Sequence, residues 1–469
     1  MNSALLTTRS SPTLLSIAPQ VMYCACGALH HNNIRSDMTR TIINTIFLLI
    51  TLPLATFGQV IKKEIQADPN FSAGAYMAYP VSKITPDTPA PTGKKPFYIS
   101  HYACPGAYYP DNHDCYDAPY ATLTKADSLG MLTPLGRDVL QRVIQLRDDA
   151  YLRLGELSEI GAQQQRNIIH RMVLRFPEVF AQQADIRARS TTVNRCILAM
   201  EEATLEFAYL CKYSNIGHEA TMMHHSYMSP QDWRIADSHM DSITTALFDD
   251  FIKHYSTNDK KLMRRLFNNK DYVRQHVNAQ DLAHQLFILA GTIQNTQLFG
   301  KITLYDLFSD KDIYNHWKRE NAWSYISYGA YTVNGGKQPY AVRLALRHII
   351  EQADSVSHLN NPVVHPRYSS VNVILPLCCL MELDDCGVAT NDLGNLDRHG
   401  WADYLMAPMG GNIQLVFYRT DPTDKDILVK ILLHERECRL PIATDCAPYY
   451  HWRELRDYYL RKLDAYEKN

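Results

Sequence analysis

An α/β protein is the fold class that the sequence predicts: a mixed sheet flanked by helices, with an inserted, mostly helical domain. Three observations lead there. Strand-like apolar runs lie toward both ends of the chain, at Pro96–Ala103 and Ile186–Ser190, then at Val371–Leu377, Asn412–Tyr418 and Ile427–Leu433. Stretches with apolar residues at helical spacing follow the first strands, at Thr133–Gly155, at Gly155–Phe180 (stopping near Pro177) and at Asn194–Leu210. From Asn215 to Leu344 the text is helical and polar. A sheet assembled from two chain segments, with a helical block between them, satisfies all three.

The first part of the chain reads as two pieces that precede the fold. Residues 1–37 are Ser/Thr-rich, with a small Cys-containing patch at Tyr23–Ala28, and read as a non-native extension ahead of a start at Met38. Residues 38–58 read as a signal peptide. Arg40 supplies a short positive region, Ile42 to Ala55 an apolar stretch, and Thr56 and Gly58 the small residues of a cleavage site before Gln59. The apolar stretch, at roughly 14 residues, is short of the roughly 20 needed to span a membrane. The expectation is export to the periplasm, the cell envelope or the medium, with no stable membrane span after the signal is removed. Gln66–Lys95, rich in Pro, Ala and Thr, is an extended lead-in. The expected domains are then 59–210 and 345–469 as two segments of the α/β core, with 211–344 as a helical cap.

Composition narrows the partners. The 469 residues are 46% hydrophobic and 20% charged, ordinary for a globular chain, and the formal net charge of -2 lacks the basic excess of a nucleic-acid binder. The basic run Lys260–Lys270 interleaves with Leu262, Met263, Leu266 and Phe267, which reads as an amphipathic helix with a solvated charged side rather than a phosphate-binding face. Of the 11 cysteines, Cys24 and Cys26 lie in the leader, and Cys438 and Cys446 are close enough in sequence to bridge. No Cys/His set has zinc spacing: His434–Glu437 reads HERE, and position 438, where H-E-x-x-H needs its second histidine, is Cys. No metal and no cofactor is expected.

The chemistry concentrates in Phe97–Pro110, FYISHYACPGAYYP, where an apolar strand enters a tight turn. With the helical GELSEIGAQQQR, the run RSTTVNRC, the segment RYSSVNVILPL and the tail PYYHWRELRDYY, this stretch resembles the histidine acid phosphatases, in particular their multiple inositol polyphosphate phosphatase-like branch. The resemblance covers most of residues 60–465. It implies a phosphoglycerate-mutase-like core and a phosphoric monoester hydrolase chemistry. In that chemistry a histidine attacks phosphorus, arginines hold the phosphoryl oxygens with paired donors, and a separate acid protonates the leaving oxygen.

The same resemblance implies that this copy has lost most of the machinery. The Arg-His-Gly-x-Arg motif falls on Cys104, Pro105, Gly106, Ala107 and Tyr108, so the nucleophile position is Pro105 and two pocket arginines are Cys104 and Tyr108. Arg189 matches the third pocket arginine. The acid dyad, His-Asp or His-Ala-Glu, follows the residues matched to Arg367, Tyr368 and Ser369, which places its positions at Ser370 and Val371. A proline side chain has no lone pair to attack phosphorus, and losing one positioned donor alone costs about 10²–10³ in rate. The expectation is a pseudophosphatase that binds a small phosphorylated or sugar-like ligand. Two alternatives stand beside it. One is an active phosphomonoesterase whose nucleophile has moved to His101, Cys104, His224 or His225. The other is a non-enzymatic envelope protein whose nearly uncharged Cys104–Tyr108 wall suits sugars or peptides. His101, about 13 Å before Pro105 along the strand, reads as a packed or hydrogen-bonded histidine. Arg189 reads equally as residual anion binding or as a structural ion pair.

Overall fold

The computed structural model describes residues 60–81, 87–181, 183–230, 234–235 and 238–468; the extension and leader read at 1–58 lie outside them. Leu54–Asn469 forms one compact unit. Its centre is a mixed sheet of eight strands: β1 (Lys95–Ala103), β2 (Asp185–Ser190), β3 (Asn215–Ala220), β4 (Val363–Tyr368), β5 (Asn412–Arg419), β6 (Leu428–Leu433), β7 (Arg436–Glu437) and β8 (Tyr450–His451). The order is β3-β2-β4-β1-β5-β6-β7, with β8 also pairing β6. The four strands from β3 to β1 run parallel, while β5, β6, β7 and β8 pair antiparallel.

Both faces are covered by helices, which is why β1 and β4 read as nearly unbroken buried runs. Period-two alternation sends Tyr98 and Tyr102 to one face, where they pack with Ile349, Ile374 and Leu455, and Ile99 and Ala103 to the other, with Ile169, Ala199 and Phe207. A third cluster, around Leu123, Val143, Leu286 and Trp317, holds the remaining helices together. Ten helices are used below: α1 (Asp114–Ser128), α2 (Pro134–Asp149), α3 (Glu159–Arg175), α4 (Asn194–Leu210), α5 (Asp259–Leu266), α6 (Ala279–Thr292), α7 (Asp310–Tyr328), α8 (Arg343–Val356), α9 (Val371–Leu380) and α10 (Trp452–Glu467). Thr133 and Ser158 cap α2 and α3 by accepting from the Gly136 and Gly161 amides. α3 ends before Pro177, as its sequence predicts.

Three expectations need correction. The lead-in Gln66–Lys95 is not extended throughout, since Pro69–Tyr76 forms a 3-10 helix capped by Asp68. Val371–Leu377 is not a strand; it forms most of α9, whose residues from Val373 onward are all buried. A short apolar run does not by itself distinguish a buried strand from a buried helix. The true strand is VVHPRY just upstream, disguised by His365, Pro366 and Arg367. The block read as helical from Asn215 opens instead with β3, a polar edge strand paired with β2. In α5, Leu262, Met263 and Leu266 are buried while Lys260, Lys261 and Arg264 face solvent, the amphipathic arrangement read from the basic run.

Candidate active-site edge

In open α/β sheets, ligands bind outside the carboxyl ends of the parallel strands. Here β2, β4 and β1 are neighbours and end together, with Ser190 opposite Tyr368 and Ala103 opposite Tyr368. The loops they release are joined by backbone hydrogen bonds: the Thr191 amide donates to Tyr368 O (3.1 Å), and the Ser369 amide to Ala103 O (2.9 Å). Strands lie about 4.8 Å apart, so Pro105, the run after Arg189 and Ser370 all stand at one edge. The antiparallel β5 begins there too, where Gly411 O accepts from the Cys104 amide (2.9 Å). The amino ends of α4 and α9 also face this edge, and neither has a side-chain cap.

The turn after β1 is closed by packing. Cys104, Pro105, Gly106 and Ala107 are buried. The Cys104 thiol donates to Pro408 O (3.3 Å), Gln165 Nε2 donates to Cys104 O (3.1 Å), and the Gly410 amide donates to Pro105 O (2.7 Å). Gly106 lies so close to α3 that a Cβ on it would sit 2.3 Å from Gly161 O. Tyr108 continues the turn into a bridge with Leu157, and its ring is covered by the Arg195 guanidinium at 4.6 Å. Burial pushes the Cys104 thiol up to about 12, so it is no thiolate near neutral pH.

Beyond β2 and β4 the edge is more polar. Arg189 stands opposite Glu219 of β3; its Nε lies 3.3 Å from Glu219 Oε1, and its Nη1 donates to Tyr227 Oη (3.3 Å). The ion-pair reading of Arg189 therefore holds in the structure. Arg367 lies in register with both Arg189 and Tyr102 and is 1% exposed. Its Nη1 donates to Ser100 Oγ (3.0 Å), but Nε and Nη2 have no hydrogen-bond partner among the described residues. Ser370 and Val371 are half-buried at the start of α9. Counting His-Ala-Glu from Ser370 puts its third position at Asn372, whose Oδ1 accepts from Tyr328 Oη (3.0 Å).

No family model matches the chain, and no curated protein matches it. Solved structures do. The multiple inositol polyphosphate phosphatase of Bifidobacterium longum superposes in its apo form with a TM-score of 0.70 at 13% identity, covering 82% of this chain and 96% of that one. Its complex with inositol hexasulfate gives 0.68 at 14% identity, covering 82% and 96%. A phytase from D. castellii gives 0.61 at 14% identity, covering 84% and 85%. The fold is that of the histidine acid phosphatases.

Within this histidine acid phosphatase fold, the histidines named from the sequence are placed as follows. His101 is fully buried, packs its ring on Tyr368 at 5.9 Å, and has no partner on either nitrogen among the described residues. Burial, with Arg367 nearby, pushes it down to about 3, and it sits on the face opposite Tyr102. It is packed rather than hydrogen-bonded. His224 bridges Glu219 (2.8 Å) and Tyr227 Oη (2.7 Å). His225 does reach the edge: its Nε2 accepts from the Thr192 amide (3.2 Å). His434 is buried, accepts from the Asn412 amide, and faces the Leu405 and Met406 carbonyls, so HERE is a packing motif. Cys438 and Cys446 are both free thiols.

Beside Val371 a cavity of about 190 Å³ is lined by Tyr76, Glu320, Trp323, Ser324, Tyr328 and Asp403, among others, with no lysine, arginine or histidine. Asp403 Oδ1 accepts from Trp317 Nε1 (3.1 Å) and from the Tyr404 amide (2.8 Å). Burial raises Asp403 to about 7. The sequence reading missed Arg195, Asn372 and Asp403, and named Arg367 only as a motif match. RSTTVNRC contains Arg195, and RYSSVN contains Arg367 and Asn372, so their signal was present; Asp403 carried none.

Proposed function

We propose that this protein is an exported pseudophosphatase: it has the histidine acid phosphatase fold, does not hydrolyse phosphomonoesters by the family route, and binds a ligand at the sheet edge. One observation carries the reading. The turn after β1 offers a buried proline, a protonated thiol bonded to a carbonyl and a tyrosine, where the resemblance calls for an imidazole and two guanidiniums. Phosphate esters need positive charge at the transferring group. Two guanidiniums at the edge are engaged elsewhere, Arg189 with Glu219 and Arg195 with Tyr108 and Asp111, and a third, Arg367, is buried within the sheet. At the acid position, Ser370, Val371 and Asn372 supply no proton donor near neutral pH.

A relocated nucleophile is poorly supported. Cys104 is held as a thiol, His101 is enclosed on the other face, and His224 bonds Tyr227 through Nδ1 with Glu219 close to Nε2. His225 stays the best remaining candidate for that alternative. The test is phosphate release from inositol hexakisphosphate and from an aryl phosphate, between about pH 3 and pH 8. Release indistinguishable from a mock preparation is expected; release that tracks the purified protein and disappears in His225→Ala would establish the alternative.

The cavity favours the non-phosphate ligand over a phosphorylated one. Glu320 and Asp403 line it, with Asp403 partly protonated near neutral pH, and no cation does, so nothing there attracts a polyanion. At about 190 Å³ it lies under the roughly 300 Å³ at which ligand pockets begin, room for a sugar-sized fragment. Calorimetry with neutral monosaccharides and with inositol hexakisphosphate separates the two; tight binding of the polyphosphate would reverse the preference. The export proposed with this reading is checked by fractionation and by sequencing the mature amino terminus, expected at Gln59.

A further inference from the structure

We propose that Asp445, Cys446 and His451 form a binding site for a divalent metal ion of the zinc type, remote from the chemistry of the sheet edge. Asp445 and Cys446 lie in the loop between β7 and β8, and His451 ends β8 and precedes α10. One ligand atom from each of the three lies within 4.8 Å of the other two. Thiolate, imidazole and carboxylate are the donor types zinc takes, with bonds of about 2.0–2.3 Å. A tetrahedral ion would hold such atoms about 3.3–3.6 Å apart, so closure needs a shift of about an ångström in a loop. A water completes the fourth position.

The surroundings supply a second argument. His451 Nδ1 is 2.6 Å from Asp426 Oδ1, and its Nε2 is 3.1 Å from Asp445 Oδ1. Both ring nitrogens face carboxylates, which favour the imidazolium in the metal-free chain; a metal ion would take the place of the Nε2 proton, between that nitrogen and Asp445. A carboxylate behind the distal nitrogen is the outer partner that metal-bound histidines use to fix their tautomer. The thiol is placed to join: Cys446 Sγ lies 3.4 Å from Thr444 Oγ1 and 3.4 Å from Tyr449 O, and it also hydrogen-bonds the Asp445 carboxylate. Metal binding releases the thiol proton and leaves the thiolate as ligand. The ion would tie the β7–β8 loop to β8, and through Asp426 to the connection between β5 and β6, at the antiparallel end of the sheet. The spacing D-C-x4-H falls outside the zinc patterns sought in the sequence.

The experiment uses the full chain, stripped with a chelator and titrated with Co²⁺ by absorbance and with Zn²⁺ by calorimetry. One equivalent is expected, with a thiolate–cobalt charge-transfer band. Cys446→Ser should abolish the band, His451→Gln should abolish tight binding, and Asp426→Asn should weaken it by about 10–100-fold. Cys115→Ser, elsewhere in the chain, should bind as the parent does. Melting curves of the stripped proteins establish that each variant is folded; His451→Gln stands in if Cys446→Ser is not. Uptake by the parent no greater than by these variants overturns the proposal and leaves His451 as an imidazolium between two carboxylates. A band that survives in Cys446→Ser overturns it as well.

Discussion

The loop after β1 and the loop after β2 leave the same edge of one sheet, separated only by β4, and they are built on opposite terms. The first is sealed: Cys104 to Ala107 are buried, their amides and carbonyls are answered by Gly410, Gly411 and Gln164, and Gly106 rests on the backbone of α3. The second stays polar and partly open: Thr192 and Val193 are exposed, Arg189 is tied to Glu219, and Arg195 stacks on Tyr108. The contrast separates two jobs of the turn after β1. Its backbone closes the sheet edge, and that job survives any side chain that fits. Its side chains are free of that closing role, so under the proposed function they are what decides whether the edge can hold a phosphoryl group.

If the first loop is sealed by close packing, the largest effect comes from adding one methyl group there. Gly106→Ala would place a Cβ 2.3 Å from Gly161 O and 2.6 Å from Gly161 Cα. Both are backbone atoms, so neither moves aside cheaply. A loss of about 3 kcal/mol or more is expected in thermal or urea unfolding. A loss under about 1 kcal/mol would mean the turn is looser than its contacts imply, and the contrast between the loops would weaken.

The cavity beside α9 offers the next largest effect. Burial raises Asp403 from 3.8 to about 7. The folded chain thus keeps a proton that the unfolded chain has already lost between those values. The contribution of Asp403 to stability is greatest below about pH 4, falls as pH rises toward 7, and levels off above it. The span corresponds to about 4 kcal/mol. Asp403→Asn should flatten this slope and stabilise the protein at pH 8, measured as melting temperature against pH. An unchanged slope would show that the carboxylate is solvated, and the cavity would then be open to water.

Arg367 tests the boundary between the loops. A guanidinium that is 1% exposed, with two nitrogens lacking partners among the described residues, is costly to keep charged. Replacement by a well-packed apolar chain of similar length should be neutral or stabilising, by about 1–2 kcal/mol for Arg367→Met. A clear destabilisation would mean that Arg367 satisfies a partner at the edge, such as a bound anion.

How far these features were legible in the sequence depends on what carried them. β1, β2, β5 and β6 were legible because each is a run of strand-forming residues bounded by breakers. β4 was not, because a strand deep in a sheet tolerated His365, Pro366 and Arg367, while the more apolar run beside it coiled into α9. β3 was missed because NIGHEA, at the sheet's edge, has no apolar face to announce it. The edge as a meeting place of Pro105, Arg189 and Ser370 was readable only through the resemblance. Pairing was not readable at all: that Arg189 answers Glu219, or that Asp445 faces His451, depends on strand register and loop path, which local sequence does not encode.

The smallest effect probes the open loop. Glu219 is drawn below its ordinary range by the His224 contact and by Arg189, but it is largely exposed, so solvent screens the pair. Glu219→Gln should cost under about 1 kcal/mol. Its informative consequence is electrostatic. Removing that carboxylate leaves Arg189 beside the amino end of α4 with no acid opposite it. Inorganic phosphate or sulfate should then bind more tightly than to the parent, in a salt-dependent manner, as read by calorimetry at low and high ionic strength. A several-fold gain would show that the second loop keeps an anion site masked by its own ion pair. No gain would show that Arg189 is held by Tyr227 and the strand, and that the open loop has no more freedom to bind than the sealed one.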